Sequence, residues 1–118
     1  MKGVVDAEQR ALLVVSIGNR KGTGKSSLMV WVDTAFNGGL VIPRKEIERL
    51  ELQETSSTSA ILADGQTVDL PTSSCFLDWF GEEYRTQIVA SDSSHALLGT
   101  MLLANHELKV DYKEVPLA

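Results

Sequence analysis

Leu28-Met29-Val30-Trp31-Val32-Asp33-Thr34-Ala35-Phe36-Asn37-Gly38-Gly39-Leu40-Val41-Ile42 is the stretch on which the reading of this chain turns. Five consecutive apolar residues run into an aspartate, small and polar residues follow, and an apolar run resumes at Leu40. The first run has no helical periodicity, and both read as buried strands. A carboxylate between two buried strands costs free energy unless it is paired or hydrogen-bonded. Asp33 therefore asks for a functional explanation.

Outward from this stretch, β-branched residues, alternation and closely spaced turn signals indicate an all-β domain. Ala11 to Ile17 reads as a strand, Gly18 to Ser26 as a long flexible turn, and Leu28 to Val32 as the returning strand. Leu40 to Ile42 is a short strand, after which Pro43 opens a brief helix with Ile47 and Leu50 on one face. Thr58 to Leu62 and Gln66 to Leu70 flank Asp64-Gly65, a hairpin signal because both central residues of such a turn favour φ > 0. With polar solvent-side residues, this hairpin can project over a cleft as a lid. Ser74 to Trp79 and Tyr84 to Ala90 enclose Gly81-Glu82-Glu83 as a third hairpin. Leu97 to Leu103 is too continuously apolar for a surface helix and should be buried, and Glu107 to Tyr112 reads as a last strand. Glu54 to Ser59 is polar but too short to link two domains.

A chain of 118 residues has room for one domain, 1–118, with a modest core. Its formal charge of −5 is interspersed, which leaves no electrostatic footprint for nucleic acid. Arg20-Lys21 with Lys25 reads as a solvated turn. Met1 to Asp6 lacks the apolar stretch of a secretory signal, and no segment approaches membrane-spanning length. A single cysteine, Cys75, excludes an intrachain disulfide framework and reads as a structural thiol. Together these features predict a cytoplasmic protein without membrane contact. His95 and His106 lack the spacing of a metal site, so neither metal nor cofactor is expected. Trp31 and Trp79 read as packing residues, with Trp31 placed to buttress the Asp33 loop.

A nucleotide-binding alternative comes from residues 18–27, Gly18-Asn19-Arg20-Lys21-Gly22-Thr23-Gly24-Lys25-Ser26-Ser27. A phosphate loop needs Gly-x-x-x-x-Gly-Lys-Ser/Thr, with a helix opening after it so that backbone N–H groups face the anion. Counting back from Gly24-Lys25, the first glycine should stand at position 19, which is Asn. Ser27 leads into the apolar run rather than into a helical pattern. Nucleotide binding is the remote reading.

The pattern of hydrophobic residues, Asp33-Thr34-Ala35, a small-residue loop and another hydrophobic strand resembles the active-site loop of aspartic proteases. For this length the resemblance is to the single-lobed, retropepsin-like kind found in viruses and many bacterial genomes. Two further segments match in order. Ala63-Asp64-Gly65 resembles the flap, and Ala96-Leu97-Leu98-Gly99 with Thr100-Met101-Leu102-Leu103 resembles the hydrophobic-hydrophobic-Gly segment before the family's short C-terminal helix. The resemblance implies an all-β closed barrel with one or two short helices.

It also implies an activity. Aspartic proteolysis needs two carboxylates in one site, and this chain offers one triplet, so the second comes from a symmetric homodimer. Asp33 of each subunit would activate water against a peptide bond. In the family, the hydroxyl at the Thr34 position crosses to the partner's backbone, and position 35 turns a backbone N–H toward the carboxylate. The usual residue at 35 is Gly. Ala35 keeps the N–H but adds a Cβ beside the catalytic water. Phe36, Asn37 and Gly38 would border the cleft, and Ala63, Asp64 and Gly65 would cover substrate, which is held as an added β-strand. Ala35 also motivates a second reading, a homodimer that binds a peptide or protein partner without cleaving it.

Overall fold

The computed structural model describes residues 1–22, 24–61 and 64–113. Its strands are β1 (Val4–Val5), β2 (Ala11–Gly18), β3 (Ser26–Val32), β4 (Leu40–Pro43), β5 (Gln53–Ile61), β6 (Thr67–Trp79), β7 (Glu82–Ser91) and β8 (Ala96–Leu98). Two short helices, α1 (Arg44–Arg49) and α2 (Thr100–Leu103), complete it. The strands lie in the order β1-β2-β3-β8-β4-β7-β6-β5, and a further β2–β6 pairing closes six of them into a barrel. The all-β class with two short helices, expected from the sequence, is what the chain adopts.

The core fills this barrel. Val15, Ile17, Val30, Leu40, Ile42, Cys75, Leu77, Ile88 and Leu98 are its fully buried side chains. They recur at alternate positions of β2, β4 and β6, as a sheet with one buried face requires. Cys75 is the structural thiol that the sequence suggested, and burial pushes its thiol up to about 11, which keeps it from being a ready nucleophile.

β3 departs from the expected buried run. Val30 and Val32 point into the barrel while Met29 and Trp31 point outward, 52% and 38% exposed. Five apolar residues in a row need not be buried on both faces, because the side-chain period of a strand is two. Trp31 is thus a surface residue of the hairpin rather than a packing residue.

Several boundaries also move. β6 is one strand of 13 residues rather than the second arm of one hairpin and the first of another. Pro71 fits because β6 is paired there with β5 alone; pairing with β7 begins at Thr72. β5 begins at Gln53, so the polar stretch after Glu54 is strand. Helix α1 starts at Arg44, with Pro43 as its N-cap. The β6–β7 turn is Phe80-Gly81, one residue earlier than expected, and both have positive φ (52° and 79°), the backbone of a two-residue turn matched to strand twist. At Asp64-Gly65 only Gly65 has positive φ, and the Asp64 carboxylate instead accepts a hydrogen bond from Gln66 N (2.9 Å).

Leu97 to Leu103 divides into β8 and α2, and Met101 is 59% exposed because a four-residue helix on the surface can bury only one side. Glu107 to Tyr112 is not a strand: it pairs with no other described segment. A β-strand needs a neighbour to satisfy its backbone, and this segment is paired with none of the described strands.

One cluster ties the hairpin turns together. Lys25, whose side chain is 7% exposed, forms ion pairs with Glu83 and with Asp78 Oδ1 (3.3 Å) and donates to Gly22 O (3.2 Å). Gly22 N also donates to Glu83 Oε2 (2.6 Å). The turn expected to be simply solvated is therefore fastened at Lys25 to the β6–β7 hairpin. The hydrogen bond from Lys25 holds the Glu83 carboxyl below its ordinary range, and the same bond raises Lys25.

A lowered carboxylate contributes stability above its unfolded pKa and loses it as the pH falls through the folded one. The melting temperature of the wild type is expected to drop on acidification below about pH 4. Glu83→Gln should melt lower at neutral pH and decline less steeply in acid, as thermal melts across pH would show. Leu77→Ala, which empties a fully buried site, should cost about 2–5 kcal/mol in denaturant unfolding.

Candidate active site

Strands β3 and β4 are consecutive in sequence but are not paired with each other. β8 lies between them, parallel to β3 (Val32↔Leu98) and antiparallel to β4 (Leu40↔Leu98). The connection Asp33–Gly39 must therefore cross the end of β8, a gap of two strand spacings or about 10 Å. Asp33 is the first residue of that crossing.

Its backbone is held on both sides. Asp33 N donates to Leu98 O (2.9 Å), continuing the β3–β8 ladder by one bond. Phe36 N donates to Asp33 O (3.2 Å), which closes a turn over Thr34-Ala35. Within it, Ala35 N donates to Asp33 Oδ1 (3.0 Å). Oδ2 accepts no hydrogen bond from the described residues. The carboxylate is half-exposed rather than shut between buried strands, so the crossing itself relieves the desolvation cost that its sequence position suggested.

Helix α2 secures the far side. Gly99 N donates to Gly39 O (2.7 Å), Thr100 N to Phe36 O (2.8 Å) and Met101 N to Gly38 O (3.2 Å). The first N–H groups of a helix have no partner within it, and here the loop carbonyls are their acceptors. The approach is close: a Cβ on Gly99 would overlap Gly38 O and lie 2.7 Å from Phe36 O.

Trp31, Val32, Asp33, Thr34, Ala35, Ser93, His95 and Leu97 line an open groove of about 470 Å³. The sequence reading brought Asp33, Thr34 and Ala35 together, and the structure places all three on this groove, with Thr34 and Ala35 exposed. Phe36, Asn37 and Gly38 lie elsewhere. Phe36 folds over Gly38 and toward Gly99. Asp64 and Gly65 are exposed at the tip of the β5–β6 hairpin and do not line the groove; Ala63 lies outside the described residues.

Ser93, His95 and Leu97 were not foreseen as groove residues. They lie about 60 positions beyond Asp33, and only the parallel β3–β8 pairing brings them there. The His95 ring meets Trp31 edge-on with centroids 6.0 Å apart, and Arg10 Nη1 lies 3.4 Å from His95 Nδ1. The Arg10 guanidinium also sits over the Trp31 ring (5.7 Å) and pairs with Asp6 Oδ2 through Nε (2.8 Å) and Nη2 (2.7 Å). That hydrogen bond keeps the Asp6 carboxyl below its usual range. The 18–27 segment is unlike a phosphate loop: Ser26 begins a strand, and Lys25 is already engaged by carboxylates.

No protein-family model and no curated protein matches this chain. Among solved structures, it is similar to the EIAV protease in complex with the inhibitor HBY-793, at a TM-score of 0.62 and 18% identity, covering 91% of this chain and 99% of that one. It is also similar to the simian foamy virus (mac) protease, at 0.54 and 16%, covering 78% and 90%. A foamy viral protease-reverse transcriptase in complex with an RNA/DNA hybrid matches at 0.56 and 12%, over 85% of this chain and 13% of that longer one. The fold is thus that of retropepsin-like aspartic proteases.

Gly99→Ala tests the crossing. It should destabilise the chain by on the order of 3 kcal/mol or more, since the new Cβ meets backbone that cannot swing away. Gly65→Ala, in open space but at φ +87°, should cost only about 1 kcal/mol. Denaturant unfolding of the two variants gives the comparison.

Proposed function

We propose that this chain is one half of a homodimeric aspartic endopeptidase, with Asp33 of each subunit supplying one carboxylate of a shared site. The observation that carries the reading is Asp33 itself. It is a half-exposed carboxylate on the floor of a groove, at the crossing of a retropepsin-like fold, with one oxygen tethered to Ala35 N.

Water is a weak nucleophile and an amide carbonyl a weak electrophile. Two adjacent carboxylates sharing one proton act on both: repulsion separates their pKa values, so that one is ionised as general base and the other protonated as general acid. The base takes a proton from water as the water oxygen attacks the carbonyl carbon, and the acid gives its proton to the carbonyl oxygen as the C=O double bond opens; collapse of this tetrahedral diol breaks the C–N bond, with the proton gained from water passed to the departing nitrogen. The pair titrates as a unit, so neither subunit owns a pKa. In this reading Thr34, exposed beside Asp33, holds the two loops in register, and the Asp64-Gly65 hairpin tip is the candidate cover for bound peptide.

Pairing of two copies is supported by the terminal segments. Met1, Val4, Leu108 and Tyr112 are large apolar residues left exposed, and β1 is paired on one side only among the described strands. The exposed Cβ of Ala35 beside Asp33 favours the second reading, a dimer that binds peptides without cutting them.

Incubating a randomised peptide library with the chain at mildly acidic pH, and sequencing the products by mass spectrometry, separates the two. Cleavage is expected in the wild type and should fall by at least about 100-fold in Asp33→Asn. Equal product from both would reject Asp33 as catalytic; binding without product would favour the second reading. Sedimentation should give the mass of two chains. Val4→Lys with Leu108→Lys should shift it to one and abolish cleavage together with the dimer.

A further inference from the structure

The groove does not end at Trp31. On the outer face of the β2–β3 hairpin, Met29 and Trp31 point the same way, two residues or about 7 Å apart along β3. Across the ladder, Trp31 stands opposite Leu12 and Met29 opposite Val14. Val14 is 53% exposed, about as much as Met29. These four side chains form an apolar stripe that starts on the groove wall beside Asp33 and stops at the polar pair Ser16↔Ser27.

Solvent-facing strand positions are usually polar when one face of a sheet is buried. An apolar patch continuous with a groove marks an interaction surface more often than scattered exposed residues do. The Arg10 guanidinium over Trp31 is paired with Asp6, so its charge at this end of the stripe is compensated. Its geometry suits an extended polypeptide, because side chains two apart in a strand-like segment have the same spacing as Trp31 and Met29.

We propose that Val14, Met29 and Trp31 form a second binding surface for the polypeptide substrate, gripping an apolar segment a few residues away from the bond held at Asp33. This rests on the peptidase reading for its purpose. The occupant is the substrate chain because Trp31 belongs to both surfaces: a peptide leaving the groove along this wall passes onto Met29 and Val14 without a break. Short peptides would use the groove alone, whereas long unfolded chains would use both.

Binding is measured without cleavage in the Asp33→Asn chain, by fluorescence anisotropy of fluorescein-labelled casein that has been reduced and carboxymethylated. Val14→Lys with Met29→Lys should weaken binding about tenfold, as expected when two half-exposed apolar side chains lose their partner surface. Met29→Gln alone, the mildest change, should weaken it in the same direction. With an active chain, the double variant should raise KM for casein at constant kcat and leave KM within about twofold for a decapeptide containing one of the casein bonds cut.

Unchanged casein binding in the double variant overturns the proposal. So does an equal rise in KM for casein and decapeptide, or a shift to single chains in sedimentation, which would mean that a second copy covers the stripe. A wild-type chain that cuts neither substrate refutes the peptidase reading, while the anisotropy result still decides whether the stripe binds polypeptide.

Discussion

The crossing of residues 33–39 over the end of β8 is the constraint on which this structure depends. Because β8 is inserted between β3 and β4, the chain must leave β3 at Val32, step over the end of another strand and re-enter at Leu40. Backbone groups at such a crossing cannot find partners in an ordinary ladder, yet burying them unpaired costs about 1–3 kcal/mol each. Leu98 O, Gly99 N, Thr100 N and Met101 N meet that need. The short helix α2 is therefore less a packing element than a set of aligned donors for the loop that carries Asp33.

Close approach follows from the same topology. Four backbone hydrogen bonds within a few residues require the loop and the β8–α2 corner to touch, and only glycine at position 99 leaves room for the carbonyls of Gly38 and Phe36. Phe36 folds over Gly38 and toward Gly99, while Asp33, Thr34 and Ala35 face the groove. A rigid support behind and an open face in front are what a carboxylate needs if it is to hold a defined position while meeting solvent, substrate or a second carboxylate.

The rest of the barrel holds this corner in place. β2 pairs with both β3 and β6, so the barrel closes around Ile17 and Leu77, and the Lys25–Glu83–Asp78 cluster fastens the β2–β3 turn to the β6–β7 hairpin at the same end. Closure removes the edges of the central strands, leaving β1 and β5 at the ends of the strand order. β5 is polar from Gln53 to Ser59, and β1 is short and apolar. This asymmetry matches the roles proposed for them, a projecting hairpin in one case and a surface for pairing in the other.

Much of this was legible in the residues alone. Alternation and turn chemistry are local, so the all-β class, the approximate strand positions, the α1 helix after Pro43 and the placement of Asp33 just beyond a strand could be read directly. The same locality misled where burial is decided by distant partners. Met29 and Trp31 face outward although they sit in an unbroken apolar run. Glu107 to Tyr112 has strand-like composition but is paired with no described strand. Phe36 turned over Gly38 and toward Gly99 because these glycines open a space there that composition does not reveal. The amino-acid sequence by itself determined the local backbone and the identity of the carboxylate, since both depend on neighbouring residues. Only the tertiary structure decided which residues share the groove: Ser93, His95 and Leu97 reach Asp33 through a parallel pairing between segments more than 60 residues apart, and no local pattern encodes the partner of a strand.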